Sequence, residues 1–216
     1  MIKAIITDIE GTTTDINFVH KVLFPYSKTK ITSYIKEHSQ QSEVLAQLQA
    51  VRAAMEDPSA TVEQVIQQLT TWIDNDVKAA SLKNLQGLIW QQGFEMGEFT
   101  GQVYPDAYEN LLRWHQQQIP LYVYSSGSIN AQQLLFQYSD FGDLRYLFSG
   151  NFDTAVGGKK EPESYANILQ QIGCQGADAV FLSDIVAECD AAAANGMQTR
   201  LLDRANTITD PNGHIR

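Results

Sequence analysis

The sequence predicts an α/β protein, a parallel sheet with helices on both faces, interrupted near its start by an all-helical insertion. Three observations carry this reading. Short apolar runs that stop at polar residues occur at residues 2–7, 121–124 and 179–182. From about residue 102 onward, helical periodicities separate such runs, which is the alternation of a parallel sheet. Between residues 17 and 101 the patterns are helical and no stretch reads as a good strand.

Residues 2–7 form a continuous hydrophobic run rich in β-branched side chains, the pattern of a buried parallel strand. The run ends in Asp8-Ile9-Glu10-Gly11-Thr12-Thr13-Thr14. Ligands of open α/β sheets bind outside the carboxyl ends of the strands, so Asp8 stands where chemistry is usually done. Glu10 follows two residues later, and Gly11 lets the backbone turn sharply. A strand ending in Asp is not specific by itself, because the same residue commonly caps the next helix.

In the insertion, Phe18, Val19, Val22, Leu23 and Phe24 lead to Pro25-Tyr26, and Ile31, Tyr34 and Ile35 share one helix face. Val44, Leu45, Leu48, Val51, Ala54 and Met55 form a second stripe, which Asp57-Pro58 breaks. Thr61 is placed to cap the next helix, with Gln64 completing a capping box. Another helix is expected over residues 79–92, and Gly93, Gly97 and Gly101 punctuate the loop after it.

Pro105 then opens a helix through Leu111, Leu112 and Trp114, and Leu121-Tyr122-Val123-Tyr124 is a strand stopping at Ser125-Ser126-Gly127. Residues 129–138 read as a helix, 146–148 as a short strand, and 162–172 as a helix with Pro162 in its first turn. Residues 179–182 are a strand ending at Ser183-Asp184. Residues 186–195 are an Ala-rich helix with Gly196 at its C′ position, and 198–202 are the last strand. The expected architecture is an open, Rossmann-like parallel sheet. Residues 1–16 and 102–216 form its α/β core, 17–101 form an inserted helical cap, and the end from 210 to 216 frays.

The chain has 216 residues, 44% hydrophobic and 19% charged, enough for one domain plus a modest insertion. Its net charge of -10 argues against general affinity for nucleic acid or anionic membrane. An anionic substrate stays possible, since a lysine, a metal ion and backbone N–H groups can invert the field in one cleft. Cys174 and Cys189 lack any CxxC spacing and read as small buried residues. The opening apolar run is too short for a signal peptide or membrane span, so the cytoplasm is the expected compartment. A monomer is the expected state. His20, His38, His115 and His214 fall in no ligand spacing.

Four stretches coincide at strand ends or in the loops after them: the Asp8–Thr12 turn, Ser125-Ser126-Gly127, Gly157-Gly158-Lys159 and Ser183-Asp184. Each alone has a plainer reading: turn serines, a solvated Gly-Gly-Lys-Lys loop, and acid in the first turn of a helix. Their order and placement raise the odds of a site. The set resembles the haloacid dehalogenase superfamily of phosphotransferases, whose motifs run Asp-x-Asp-Gly-Thr, a strand-ending Ser or Thr, a Lys, and an acidic cluster. Asp8, Ser125, Lys159 and Asp184 follow that order, but the second acid is Glu10 rather than Asp. Within the superfamily, several stretches resemble the enolase-phosphatases of methionine salvage, the acireductone synthases. They are Asp8 to Thr13, Leu23-Phe24-Pro25-Tyr26, Ser125-Ser126-Gly127-Ser128, the run from Phe148 to Thr154, and Phe181-Leu182-Ser183-Asp184.

That resemblance implies an enzyme acting on a small phosphorylated 2,3-diketone with a methylthio tail, by enolisation and then loss of phosphate. Asp8 is the implied nucleophile, and Mg²⁺ the implied cofactor, held by Asp8, Asp184 and the backbone carbonyl of Glu10. The Glu10 side chain is the implied general acid and base, reaching roughly 1.5 Å further than Asp on standard bond lengths. Lys159, Ser125 and Ser126 are implied to bind the phosphate, with Lys160 the less suited lysine and Glu188 steadying the metal's waters. Phe18, Val19 and Phe24 could touch the substrate tail, although apolar residues at helical spacing usually pack a core. Two alternatives stay open. A generic capped small-molecule phosphatase would use the same groups. A phospho-accepting signalling domain would also use an acid, a hydroxyl and a lysine, but needs neither Glu10 nor the insertion. No GxxxxGK[ST] or GxSxG motif is present.

Overall fold

Strand β1, Ala4–Thr7, is buried along its whole length and forms the middle of the sheet. In the computed structural model, which describes residues 2–75 and 77–205, β2 (Leu121–Tyr124) and β4 (Ala179–Ser183) flank it in parallel. Strands β3 (Gly150–Phe152) and β5 (Gln198–Leu201) lie at the edges, giving the order β3-β2-β1-β4-β5. Thr7 is in register with Val123 on one side and Leu182 on the other. That register aligns the carboxyl ends of three strands, so Asp8, Ser125 and Asp184 emerge at one end of the sheet. A strand buried on both faces has to be apolar throughout, which is why Ala-Ile-Ile and Val-Phe-Leu show no polar alternation.

The chain divides into two compact units, one running up to Phe18 and resuming at Thr100, the other spanning Val19–Phe99. The second unit is helical. Val19–Leu23 is a π-helical segment, and α1 (Phe24–His38) continues from it with Pro25 in its first turn. Helices α2 (Ser42–Ala54), α3 (Val62–Asp74) and α4 (Ala80–Glu95) complete it. Ile35, Val44, Leu48, Val51, Leu69, Leu85 and Ile89 form its buried core. At about 1.5–3 kcal/mol for each such side chain removed from water, this burial outweighs the weak propensities of the individual helices. The capping box is present: Gln64 N donates to Thr61 Oγ1 at 3.3 Å, and Thr61 N to Gln64 Oε1 at 2.7 Å.

In the α/β unit, α5 (Pro105–Gln116), α6 (Ile129–Gln137), α7 (Pro162–Ile172) and α8 (Val186–Ala193) alternate with the strands. Ile6, Tyr124 and Phe181 turn to one face and pack with Tyr165, Ile168, Ala191 and Ala192 from α7 and α8. Thr7 and Leu182 turn to the other face, where they border a small cavity of about 60 Å³ with Ala107, Leu111 and Trp114 of α5.

Three expectations need correction. Gly93 does not punctuate the loop but lies buried inside α4, where a Cβ would come 2.7 Å from the Phe99 ring. Residues 146–148 are not a strand: Arg145–Leu147 is a 3₁₀ turn, with Leu147 buried and Tyr146 59% exposed. The edge strand comes later, at Gly150–Phe152, where pairing with Tyr122–Tyr124 supplies an order that the weak strand propensity of Gly and Asn does not predict. Cys189 is buried as expected, but Cys174 is only partly so, and neither forms a disulfide. No helix among the described residues is long and apolar enough to cross a membrane. His214 and the stretch 210–216 lie outside the described residues.

Candidate active site

Asp8 follows β1 and is 3% exposed. Its N–H donates to the Leu182 carbonyl at 2.9 Å, so β4 fixes its backbone. The chain then folds back: Thr12 N and Thr13 N donate to the Ile9 carbonyl, and Gly11 N to the Thr14 carbonyl. Gly11 sits at φ +74, in the left-handed region. A Cβ there would lie 2.1 Å from Asp184 Oδ2, so the Asp184 carboxylate is seated directly against the Gly11 backbone.

Lys159 reaches the same place from the loop after β3. Its Nζ is 2.6 Å from Asp8 Oδ1 and 2.8 Å from Glu188 Oε2, one ammonium between two buried carboxylates. Ser183 Oγ donates to Glu188 Oε2 at 2.8 Å and accepts from Ile185 N, which locks Glu188 in this orientation. Ser125, fully buried at the end of β2, donates to Glu10 Oε2 at 3.1 Å and accepts from Gly127 N at 3.1 Å. Ser126 is exposed on the same loop, and Lys160 is exposed beside Lys159.

The charges do not balance. Asp8, Glu10, Asp184 and Glu188 act on one another electrostatically, with Lys159 as their shared cation. Burial, with the neighbouring Glu10 and Glu188 charges adding to it, pushes the Asp8 carboxyl up to about 8 despite Lys159. Burial also raises Asp184. Burial works against the charge on Lys159, but the Asp8 and Glu188 carboxylates outweigh it and hold the ammonium above its usual range. A surplus of buried carboxylates is the environment a second cation would relieve. Among the described residues, no group of three or more His, Cys, Asp or Glu side chains is arranged to hold a metal. A hard cation such as Mg²⁺ needs no such group, because one or two carboxylates, a backbone carbonyl and retained waters suffice. The donor set of Asp8, Asp184 and the Glu10 carbonyl fits that requirement.

The structure thus brings Asp8, Glu10, Ser125, Lys159 and Asp184 to one end of the sheet. Glu188 joins the same cluster, where its Oε2 accepts from both Lys159 and Ser183. Arg204 was not anticipated. It donates to the Thr12 carbonyl at 2.6 Å, pairs with both Asp106 oxygens at 2.8 and 2.7 Å, and lies 4.1 Å from the Tyr104 ring centroid. It ties the turn after β1 to α5 and to the chain beyond β5. Its partner lies 192 residues away, and no local pattern could flag it.

A parallel sheet with an acid-rich site at its carboxyl end, assembled from these four stretches, defines a haloacid dehalogenase-like hydrolase. The family model of that description matches residues 2–196, and the chain belongs to this family. Within it, the chain is similar to Enolase-phosphatase E1 of Pseudomonas syringae pv. syringae (strain B728a), with 54% identity over 198 residues, 92% of this chain and 87% of the relative. Enolase-phosphatase E1 of Pseudomonas fluorescens (strain Pf0-1) is 52% identical over 214 residues, 99% of this chain and 93% of the relative. Among solved structures, the UTR4 protein of Saccharomyces cerevisiae superposes with a TM-score of 0.85 at 33% identity, covering 100% of this chain and 96% of that one. The L-2-haloacid dehalogenase of Xanthobacter autotrophicus shares the fold alone, at 19% identity and a TM-score of 0.56, covering 96% of this chain and 80% of that one.

Proposed function

We infer that this chain is an acireductone synthase, which enolises a phosphorylated 2,3-diketone with a methylthio tail and then removes its phosphate, releasing the acireductone. The observation that carries the reading is the 2.6 Å contact joining Asp8 to Lys159, in a chain 52% identical to an Enolase-phosphatase E1 over nearly its whole length. In the hydrolytic half, an Asp8 oxygen attacks phosphorus and the bond from phosphorus to the enol oxygen breaks. The Glu10 carboxyl, oriented by Ser125, gives its proton to that leaving oxygen. Water then attacks the aspartyl-phosphate, Glu10 takes its proton, and phosphate departs from Asp8. Lys159 neutralises charge developing on the phosphoryl oxygens, and Ser125, Ser126 and the N–H groups leading into α6 bind them.

Mg²⁺ is the cofactor in this reading, held by Asp8, Asp184 and the Glu10 carbonyl. When bound, it offsets the repulsion between carboxylate and phosphate and polarises a substrate carbonyl, acidifying the neighbouring carbon. The domain assignment belongs to the same reading: an α/β phosphatase core at 1–16 and 102–216, with a helical cap at 17–101. The enzyme works as a cytoplasmic monomer without nucleic-acid or membrane partners.

The test is incubation with the phosphorylated diketone and Mg²⁺, following enol absorbance and free phosphate together. Enol absorbance that rises with or ahead of phosphate is the expected result. Phosphate release from sugar phosphates at an equal or greater rate, with no enol formed from the diketone, would replace this reading with a general capped phosphatase. Stoichiometric phosphorylation without turnover would replace it with a signalling domain.

A further inference from the structure

Four consecutive carbonyls, Val156 to Lys159, each accept a hydrogen bond from a side chain. Asn167 Nδ2 donates to the Val156 carbonyl at 3.0 Å, Tyr124 Oη to Gly157 at 2.9 Å, Ser164 Oγ to Gly158 at 2.8 Å, and Tyr165 Oη to Lys159 at 2.6 Å. Surface loops ordinarily leave such carbonyls to water. Here three donors come from α7 and the fourth from the last residue of β2. Tyr124 and Tyr165 are both 0% exposed, and burial pushes both phenols up, so they remain O–H donors. A buried hydroxyl must find an acceptor, and both of these are committed to the one loop that carries Lys159.

The loop is also packed too closely for an ordinary side chain. Gly157 sits at φ +128, and a Cβ there would lie 2.2 Å from Ser164 Oγ. Tyr124 touches this loop at two points, since its hydroxyl holds the Gly157 carbonyl while its ring lies 6.0 Å from Lys159 Nζ, measured to the centroid. A lysine is a point charge on a flexible stem. Its Nζ can sit at a set distance from Asp8 only if the backbone that launches it is immobile. We propose that Tyr124, Ser164, Tyr165 and Asn167 are positioning residues that fix the backbone of residues 156–159, and so aim the Lys159 ammonium at the phosphoryl group. Tyr165 is the principal one, because it makes the shortest of the four bonds and makes it to Lys159 itself. The proposal rests on the phosphatase reading above for its functional consequence, and on the four hydrogen bonds for its structural one.

The test compares wild type with Tyr165→Phe and Tyr124→Phe, each of which deletes a single hydroxyl. Hydrolysis of p-nitrophenyl phosphate with Mg²⁺ is measured alongside amide hydrogen exchange. For Tyr165→Phe, the loss of one buried hydrogen bond acting through Lys159 should lower kcat about tenfold and leave KM within about twofold. In a Lys159→Ala background the same substitution should change the residual kcat little, because the group it positions is gone. Exchange at residues 157–160 should accelerate while the interior amides of α7 keep their wild-type rates. An unchanged exchange rate at 157–160 overturns the proposal, as does an equal acceleration throughout α7. A tenfold loss repeated in the Lys159→Ala background also overturns it, since that would mark a general loss of folded protein. If a tyrosine variant fails to fold, Ser164→Ala is judged by the same criteria. Should wild type release no phosphate from any ester, the phosphatase reading falls, and the exchange comparison still decides whether these hydroxyls hold the loop.

Discussion

Lys159 is the residue on which the site's electrostatics turn. One ammonium serves Asp8 and Glu188 at 2.6 and 2.8 Å, with Glu10 and Asp184 close enough to add to the negative field. Asp8→Asn removes the proposed nucleophile while keeping its shape. Phosphate release should fall on the order of a thousandfold or more with thermal stability retained, and wild-type turnover in that variant would remove Asp8 from the role. Glu10→Gln should cost more with poor leaving groups than with activated aryl phosphates, because only the former need a proton on the departing oxygen. Equal losses across a leaving-group series would take Glu10 out of the acid role. Asp8, Glu10, Ser125 and Asp184 were legible in the sequence because they stand at or just after strand ends, and Lys159 because its place in a loop between them completes an order of motifs that resembles the superfamily's. Glu188 was visible as an acid four residues after Asp184, but its pairing with Lys159 depends on side-chain direction, which spacing does not carry.

At the scale of elements, the turn after β1 has to be glycine for two independent reasons. Gly11 lies at φ +74, and the space beside its Cα is filled by the Asp184 carboxylate. Gly11→Ala therefore strains the backbone and displaces Asp184. Mg²⁺ affinity, read by titration calorimetry, should fall at least about tenfold, well beyond what a strain of roughly 1 kcal/mol in overall stability would produce. Unchanged affinity would show that Asp184 does not need this seat. Local chemistry also announced the α3 capping box and the Pro-initiated helices α5 and α7. It failed at β3, where Leu147 and Phe148 gave the hydrophobic signal and Gly150-Asn151-Phe152 made the strand. An edge strand takes its order from its partner's hydrogen bonds, so its own residues advertise it poorly.

At the scale of the whole molecule, the buried acid at the sheet's end makes stability depend on pH and metal. Asp8 is held up to about 8 in the fold, against 3.8 for an unperturbed Asp. Between those values the folded state keeps a proton that the unfolded chain has lost, so this group's contribution declines as pH rises from about 4 to about 8. Asp8→Asn removes that decline. In EDTA, the urea stability of the variant relative to wild type should therefore grow from pH 5 to pH 8, and a constant difference would refute the assignment. Mg²⁺ competes with that proton, so it should raise the thermal midpoint of wild type more at pH 8 than at pH 6, and have little effect on Asp8→Asn. Periodicity and strand-end chemistry are local properties, and they were enough to establish the alternation of strands and helices, the helical insertion, and the four stretches that gather at one end of the sheet. The pairing of Lys159 with Asp8 and Glu188, the seating of Asp184 on Gly11 and the grip of Arg204 on Thr12 came only with the folded chain. Those contacts join residues far apart along the backbone, and packing in three dimensions, rather than any interval in sequence, sets which side chains meet and how deeply they are buried.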